Sequence, residues 1–398
     1  MAADPLNVLP AGYRRLVDGA VAVLSADERV QAAWLHGSVA RGDADALSDV
    51  DMIVAVADDG LASFGEDWRE RLAAITPTVM ARRFPGPSGS WLAITPDCER
   101  FDLWVEAAGA VPTSVVRHRV ALFDRAGLDA RLPPPDPPAP PSAAKLDALR
   151  EWEAACRAVA SVAASDDVLG IEVVHALRWI LYEACVEANR PIPVSGLKQW
   201  SAKLTKEQRA TLEGLPTRGD PAPVLAALDD TLGPPTTALP TTALPTTPEL
   251  ARVLLPPEGS VRALSLLGQP RPARLRHIAE EFFALHLYLT VVVHRADWLL
   301  GVEGVHILRK LLYELDLEER GRPAARSPAD WSGRLNDEQR GELLELPTGD
   351  ASRDGVIGGH RAVREAFVRR GRRVLGEAWP SAMEAAVVTH VDAFVASA

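Results

Sequence analysis

The stretch that decides the fold runs His36-Gly37-Ser38-Val39-Ala40-Arg41-Gly42-Asp43-Ala44-Asp45-Ala46-Leu47-Ser48-Asp49-Val50-Asp51-Met52-Ile53-Val54-Ala55. An apolar run, Ala32 to Leu35, ends on Gly37-Ser38, and Asp49-Val50-Asp51 leads into a second apolar run, Met52 to Val56. Residues two apart on a strand share a face, so Asp49 and Asp51 project side by side where a strand begins. Adjacent carboxylates repel and resist burial until something neutralises them. Mg²⁺ does so with one or two carboxylates plus phosphate oxygens and water. Gly37 lets backbone approach a phosphate closely, and the amides and hydroxyl at Ser38 can donate to it. Read separately, Gly-Ser fits an ordinary turn and Asp-x-Asp a solvated strand end. Joined at this spacing, each attached to an apolar strand, they point to a metal and phosphate site.

Gly37-Ser38, a spacer and Asp49-x-Asp51 resemble the motif of the DNA polymerase β-type nucleotidyltransferases. The resemblance implies that Gly37 and Ser38, with Ser48, hold the phosphates of a nucleoside triphosphate, and that Asp49 and Asp51 hold Mg²⁺. It also implies a third carboxylate on a later strand. Arg100-Phe101-Asp102-Leu103-Trp104-Val105 supplies Asp102 between apolar neighbours, as metal ligand or as base toward a substrate hydroxyl. The competing reading of Asp102 is an outward-facing strand residue.

Outward from this stretch, Tyr13 to Leu24 has helical spacing, with Leu16, Ala20, Val23 and Leu24 on one side. Val30 to Leu35 and Val50 to Ala57 read as strands, Gly65 to Ile75 as a helix and Thr78 to Phe84 as a strand. Pro85 to Gly89 reads as a turn, and Trp91 to Thr95 with Phe101 to Ala107 as paired strands. Leu122 to Gly127 reads as a strand end and turn. The order predicts a small mixed sheet with helices on one face and the three acids at one edge. A proline cluster, Pro133 to Pro141, is a semi-rigid spacer.

The remainder is helical and repeated at an offset of 131 residues. Leu169-Gly170-Ile171-Glu172-Val173-Val174-His175-Ala176-Leu177-Arg178 matches Leu300-Gly301-Val302-Glu303-Gly304-Val305-His306-Ile307-Leu308-Arg309. Leu181-Tyr182-Glu183, Trp200-Ser201, Glu207-Gln208-Arg209 and Leu215-Pro216-Thr217 recur at the same spacing. Two copies are too few for a solenoid and predict two related bundles. Between them, residues 234–248 are low-complexity Thr, Pro, Ala and Leu, with no means of forming a core. The predicted class is α+β. Residues 1–131 form a nucleotidyltransferase domain, 143–232 a first all-α bundle, 233–250 a linker and 251–398 a second bundle. The linker is long enough for the second bundle to fold onto the first, or onto the cleft.

The segment Val174 to Leu215 is similar to the C-terminal helical domain of the streptomycin/spectinomycin adenylyltransferases. Arg178, Tyr182, Val194-Ser195, Trp200 and Leu204 to Arg209 carry the similarity. It implies that Arg178 and a downstream Lys reach the triphosphate. Lys198 stands two residues beyond the family's position, which Gly196 takes, and the second copy has Ala329 at the equivalent place. The competing reading pairs Arg178 with Glu172 or Glu183 on a helix surface. His175 and His306 read as core or capped histidines, and Trp200 and Trp331 as core.

Composition bounds partners. With 398 residues and a formal charge of −11, the chain lacks the basic excess that nucleic-acid binding draws on. An acidic cleft concentrates a cationic small molecule instead. No apolar run approaches transmembrane length, and Met1-Ala2-Ala3-Asp4 lacks a signal peptide's basic start. Cys98, Cys156 and Cys185 show no metal spacing and read as reduced core residues of a cytoplasmic protein. The expectation is Mg²⁺-dependent transfer of AMP from ATP to a hydroxyl of an aminoglycoside-like small molecule. No nucleic acid or membrane partner is expected, and the chain is read as a monomer acting as an internal pseudo-dimer. The competing expectations are the same chemistry on a protein or another metabolite, and a non-catalytic nucleotide-binding scaffold.

Overall fold

The computed structural model describes residues 10–84, 90–135, 137–161, 167–192, 199–233, 269–321 and 334–398. The chain forms two compact units. Met1–Pro137 with Ser381–Ser397 make one, and Pro138–Pro380 the other.

The N-terminal unit is built on six strands: β1 (Val30–Leu35), β2 (Val50–Val56), β3 (Met80–Phe84), β4 (Ser90–Ile94), β5 (Arg100–Ala107) and β6 (Val120–Asp124). They lie in the order β3-β4-β5-β2-β1-β6. Only the central β2–β5 pair is parallel, so the sheet is mixed. Among the described residues helix α1 (Ala11–Ala26) precedes them, and α2 (Gly37–Arg41), α3 (Leu61–Glu66) and α4 (Trp68–Ile75) lie between strands. One sheet face takes the apolar stripe of α1 (Leu16, Val17, Ala20, Leu24) with Phe64, Trp68 and Leu72, against Met52, Val54, Leu103 and Val105. On the other face Ala32, Trp34, Ile53 and Ala55 are covered by Ala108, Val111 and Leu128. Central strands covered on both sides read as continuous apolar runs, as β1 and β2 do.

The helix expected over residues 65–75 is two helices, α3 and α4, broken at Asp67. Arg71 Nη1 donates to the Phe64 carbonyl at 3.0 Å, an acceptor that an unbroken helix would pair with Trp68. The Gly-Ser turn is the first turn of the short helix α2.

The second unit contains α5 (Ala143–Ala160), α6 (Val168–Ala188), α7 (Lys206–Gly214) and α8 (Ala222–Leu232). After the linker come α9 (Arg271–His286), α10 (Tyr288–Arg295), α11 (Trp298–Glu319), α12 (Asp337–Glu345) and α13 (Arg353–Leu375). Caps recur at the sequence offset. Thr205 with Gln208 and Asn336 with Gln339 each make a capping box. The contacts between α6 and α11 are reciprocal. His175 Nε2 meets Glu303 at 2.7 Å, and His306 Nε2 meets Glu172 at 3.2 Å. The two imidazoles stack with centroids 3.2 Å apart, and Thr217 Oγ1 lies 2.9 Å from Thr348 Oγ1. A residue that contacts its own counterpart sits on a two-fold axis, as in an isologous dimer.

The last helix, α14 (Ser381–Ser397), groups with the N-terminal unit, whereas the sequence reading assigned it to the second bundle. Its composition, with Met383, Val387 and Val391 as the buried stripe, does not encode which unit it joins. The expected turn at Pro85 to Gly89, the linker from residue 234 onward, Val194-Ser195, Gly196, Lys198, Arg322-Pro323, Ala329 and Trp331-Ser332 lie outside the described residues. Among the described residues, no helix is long and apolar enough to cross a membrane.

Candidate active site

The site is assembled where β1 ends and β2 and β5 begin. Antiparallel pairing sets Leu35 against Met52, and the His36 N–H donates to the Asp51 carbonyl at 2.9 Å. The chain then turns through Gly37, whose φ is +66°. A Cβ on Gly37 would stand 2.0 Å from Asp51 Oδ2. Glycine is required twice, for the left-handed backbone and for the approach of the carboxylate. The first amides of α2 have no intrahelical partner, which leaves the Gly37-Ser38 backbone able to donate to an anion.

Parallel pairing of β2 with β5 sets Asp51 directly beside Asp102. Asp49 comes two residues earlier, before β2. One carboxylate oxygen from each of Asp49, Asp51 and Asp102 lies within 4.8 Å of the others, and all three side chains are half-buried. Three oxygens converging at this spacing fit a hard divalent cation, which prefers oxygen ligands and tolerates several carboxylates. Among the described residues no other such cluster of metal-ligating side chains occurs.

Arg100 was missed by the sequence reading as a site residue. Its guanidinium lies 3.8 Å from Asp49, and both side chains are mostly buried. A cation there offsets part of the repulsion between carboxylates. The signal was present, since Arg100 is two residues before Asp102 and shares its face of β5. Tyr13, on α1, adjoins Arg100 and Asp49, and burial pushes its hydroxyl up to about 12. Burial holds the His36 imidazole down to about 4 and neutral, and its Nε2 has no hydrogen-bond partner among the described residues.

Ser48, expected to touch phosphate, is 2% exposed. Its hydroxyl donates to Asp45 Oδ1 at 3.1 Å and accepts from the Asp45 N–H at 2.9 Å. It closes the Asp45–Ser48 loop and fixes the entry of Asp49 into β2. Arg178 lies in the second unit, buried on α6. Its Nη1 donates to the carbonyls of Leu215 at 2.7 Å and Pro216 at 3.4 Å. Arg309 repeats both bonds, to Leu346 at 2.8 Å and Pro347 at 3.5 Å. Burial pulls each guanidinium down to about 10. Gly37, Ser38, Asp49, Asp51 and Asp102 are thus brought together. Arg178 is engaged at the end of a neighbouring helix.

Residues 20–76 match the family model of the Polymerase beta, Nucleotidyltransferase domain. The match includes Gly37, Ser38, Asp49 and Asp51 and stops before Asp102. The matched segment and the acid triad fit a metal-dependent nucleotidyltransferase. Comparison with curated proteins returns no match.

Proposed function

We propose that the chain is an Mg²⁺-dependent adenylyltransferase that moves AMP from ATP to a hydroxyl of a cationic, aminoglycoside-like small molecule. The observation that carries the reading is the convergence of three carboxylates against a glycine turn that only a side-chain-free residue allows. Asp49 and Asp51 would hold the cation, with the Asp102 carboxylate beside them. When bound, Mg²⁺ supplies charge neutralisation to the triphosphate and the departing pyrophosphate. Gly37 and Ser38 cradle the leaving phosphates. Asp102 accepts the proton of the acceptor hydroxyl while the hydroxyl oxygen bonds to the α-phosphorus and the bond to pyrophosphate breaks. Positioning and charge, rather than a covalent intermediate, account for the rate. The formal charge of −11 supports a cationic acceptor, and three buried free cysteines suit a reducing, cytoplasmic setting.

The test is incubation with Mg²⁺, each of the four NTPs and a panel of aminoglycosides, other polyols and proteins, read by mass spectrometry. A mass gain of one AMP on a small cationic acceptor, absent with Asp51→Asn, is the expected result. An adduct on a protein instead would move the acceptor to the competing class, and no adduct on anything would favour the scaffold reading. The reciprocal contacts between α6 and α11 support a second element of the proposal. The two helical halves act as an internal pseudo-dimer, so the chain is expected to run as a monomer in light scattering.

A further inference from the structure

Trp104 lies on the acid-bearing sheet face, and the proposed chemistry gives it no task. Among the described residues it and Val115 are the large apolar side chains left exposed, Trp104 at 51%. It stands two residues beyond Asp102 on β5, on the same face and about 7 Å farther along the strand. Phe101, Leu103 and Val105 point the other way, into the core. Ile53, registered beside Trp104 on β2, is covered by the Ala108, Val111 and Leu128 cluster. That cover stops short of the indole. Trp104 also meets the His36 ring edge-on, with centroids 6.4 Å apart and planes at 85°. His36 is the residue before Gly37. An isolated exposed tryptophan would need no explanation. This one borders both the phosphate turn and the third acid.

We propose that Trp104 is the platform on which the base of the donor nucleotide stacks. The proposal rests on the nucleotidyltransferase reading and names how that site holds its donor. In an in-line displacement the leaving pyrophosphate and the attacking oxygen lie on opposite sides of the α-phosphorus. Here that axis runs across the strands, from Gly37-Ser38 at the end of β1 to Asp102 on β5. The nucleoside is attached through an equatorial oxygen and leaves at right angles to the axis, in a plane that contains the strand direction and the normal to the sheet. Trp104 lies along the strand from Asp102, within that plane, at a step comparable to the span of one ribose. An indole offers stacking to every base, with more overlap for a purine. The donor site is therefore expected to discriminate weakly among bases and to favour purines over pyrimidines through contact area.

The experiment is isothermal titration of the full chain with Mg²⁺ and two probes, α,β-methylene-ATP and inorganic tripolyphosphate, for wild type, Trp104→Ala and Trp104→Phe. Removing a stacking ring is expected to weaken the analogue by roughly 5- to 150-fold. Tripolyphosphate, which has no base, should bind all three proteins equally, and Trp104→Phe should recover most of the loss. Unchanged analogue affinity in Trp104→Ala overturns the proposal and leaves the indole to the acceptor. Equal weakening of both probes also overturns it, because the effect would then be on the phosphate turn. If neither probe binds wild type, the nucleotidyltransferase reading fails and this inference with it. Matched thermal melts of the variants keep folding out of the comparison.

Discussion

At the scale of single residues the site depends on Gly37 and Asp51 occupying almost the same space. Any Cβ at Gly37 meets the Asp51 carboxylate at 2.0 Å and must also accept a φ of +66°. The backbone alone costs an alanine about 1–2 kcal/mol. Gly37→Ala is therefore expected to displace Asp51 and abolish transfer, with a lowered melting temperature; wild-type turnover would show that the contact is irrelevant. Asp102→Asn separates two roles. As a base, Asp102 contributes about 10²- to 10⁴-fold to turnover, and its loss leaves binding of α,β-methylene-ATP with Mg²⁺ intact. Joint loss of binding and turnover would make it chiefly a metal ligand. The three acids were legible because a two-residue period and an apolar flank suffice to place them. The Gly37–Asp51 approach was not, because it follows from which strand end abuts which. Ser48 was misleading for a related reason: a hydroxyl next to an acid pair reads as a phosphate donor, and Asp45 is too close in sequence to look like its partner.

At the scale of elements the repeated helices α6 and α11 carry the same arginine to the same task. Arg178 and Arg309 each satisfy two carbonyls past the ends of α7 and α12, and Arg309 Nη2 adds the Leu343 carbonyl at 2.8 Å. Carbonyls at a helix C-terminus lack intrahelical donors, so these contacts are anchoring bonds. Arg178→Met and Arg309→Met are each expected to cost about 1.5–3 kcal/mol in urea denaturation. Neither should change nucleotide affinity. Loss of affinity in Arg178→Met alone would restore that arginine to the triphosphate. The repeat itself was plain from the 131-residue offset, but not which faces meet. The helices are apolar nearly all round, so no stripe marks the side that holds His175 against Glu303. The break between α3 and α4 was hidden similarly, since it depends on the side chain of Arg71 rather than on a local breaker.

At the scale of the whole molecule the burial of titratable groups sets how the fold answers to acid. Burial holds His306 and His360 near about 4 and His286 far below the usual imidazole range, with His360 and Arg364 adding to the effect at His286. His36 in the N-terminal unit is depressed the same way. A group with a lowered folded pKa binds its proton first in the unfolded chain. Its contribution is present above pH 6.5 and is lost as pH falls through about 4. Asp316 works in the opposite direction. Burial, with Glu342 and Glu319 nearby, raises it to about 7 despite the ion pair with Arg370. Its contribution is present below the usual carboxylate range and is lost as pH rises through about 7. Several histidines oppose Asp316 and Glu99, a second carboxyl that burial raises, so net stability should fall between pH 7 and 5. The urea midpoint measured at the two values checks this. His360→Gln should make the fall shallower by removing one proton acceptor from the balance. Asp316→Asn should make it steeper, because it deletes a group that gains as the pH drops. A midpoint that is level across this range in wild type, or that steepens in His360→Gln, would mean that these imidazoles are already solvated in the native protein.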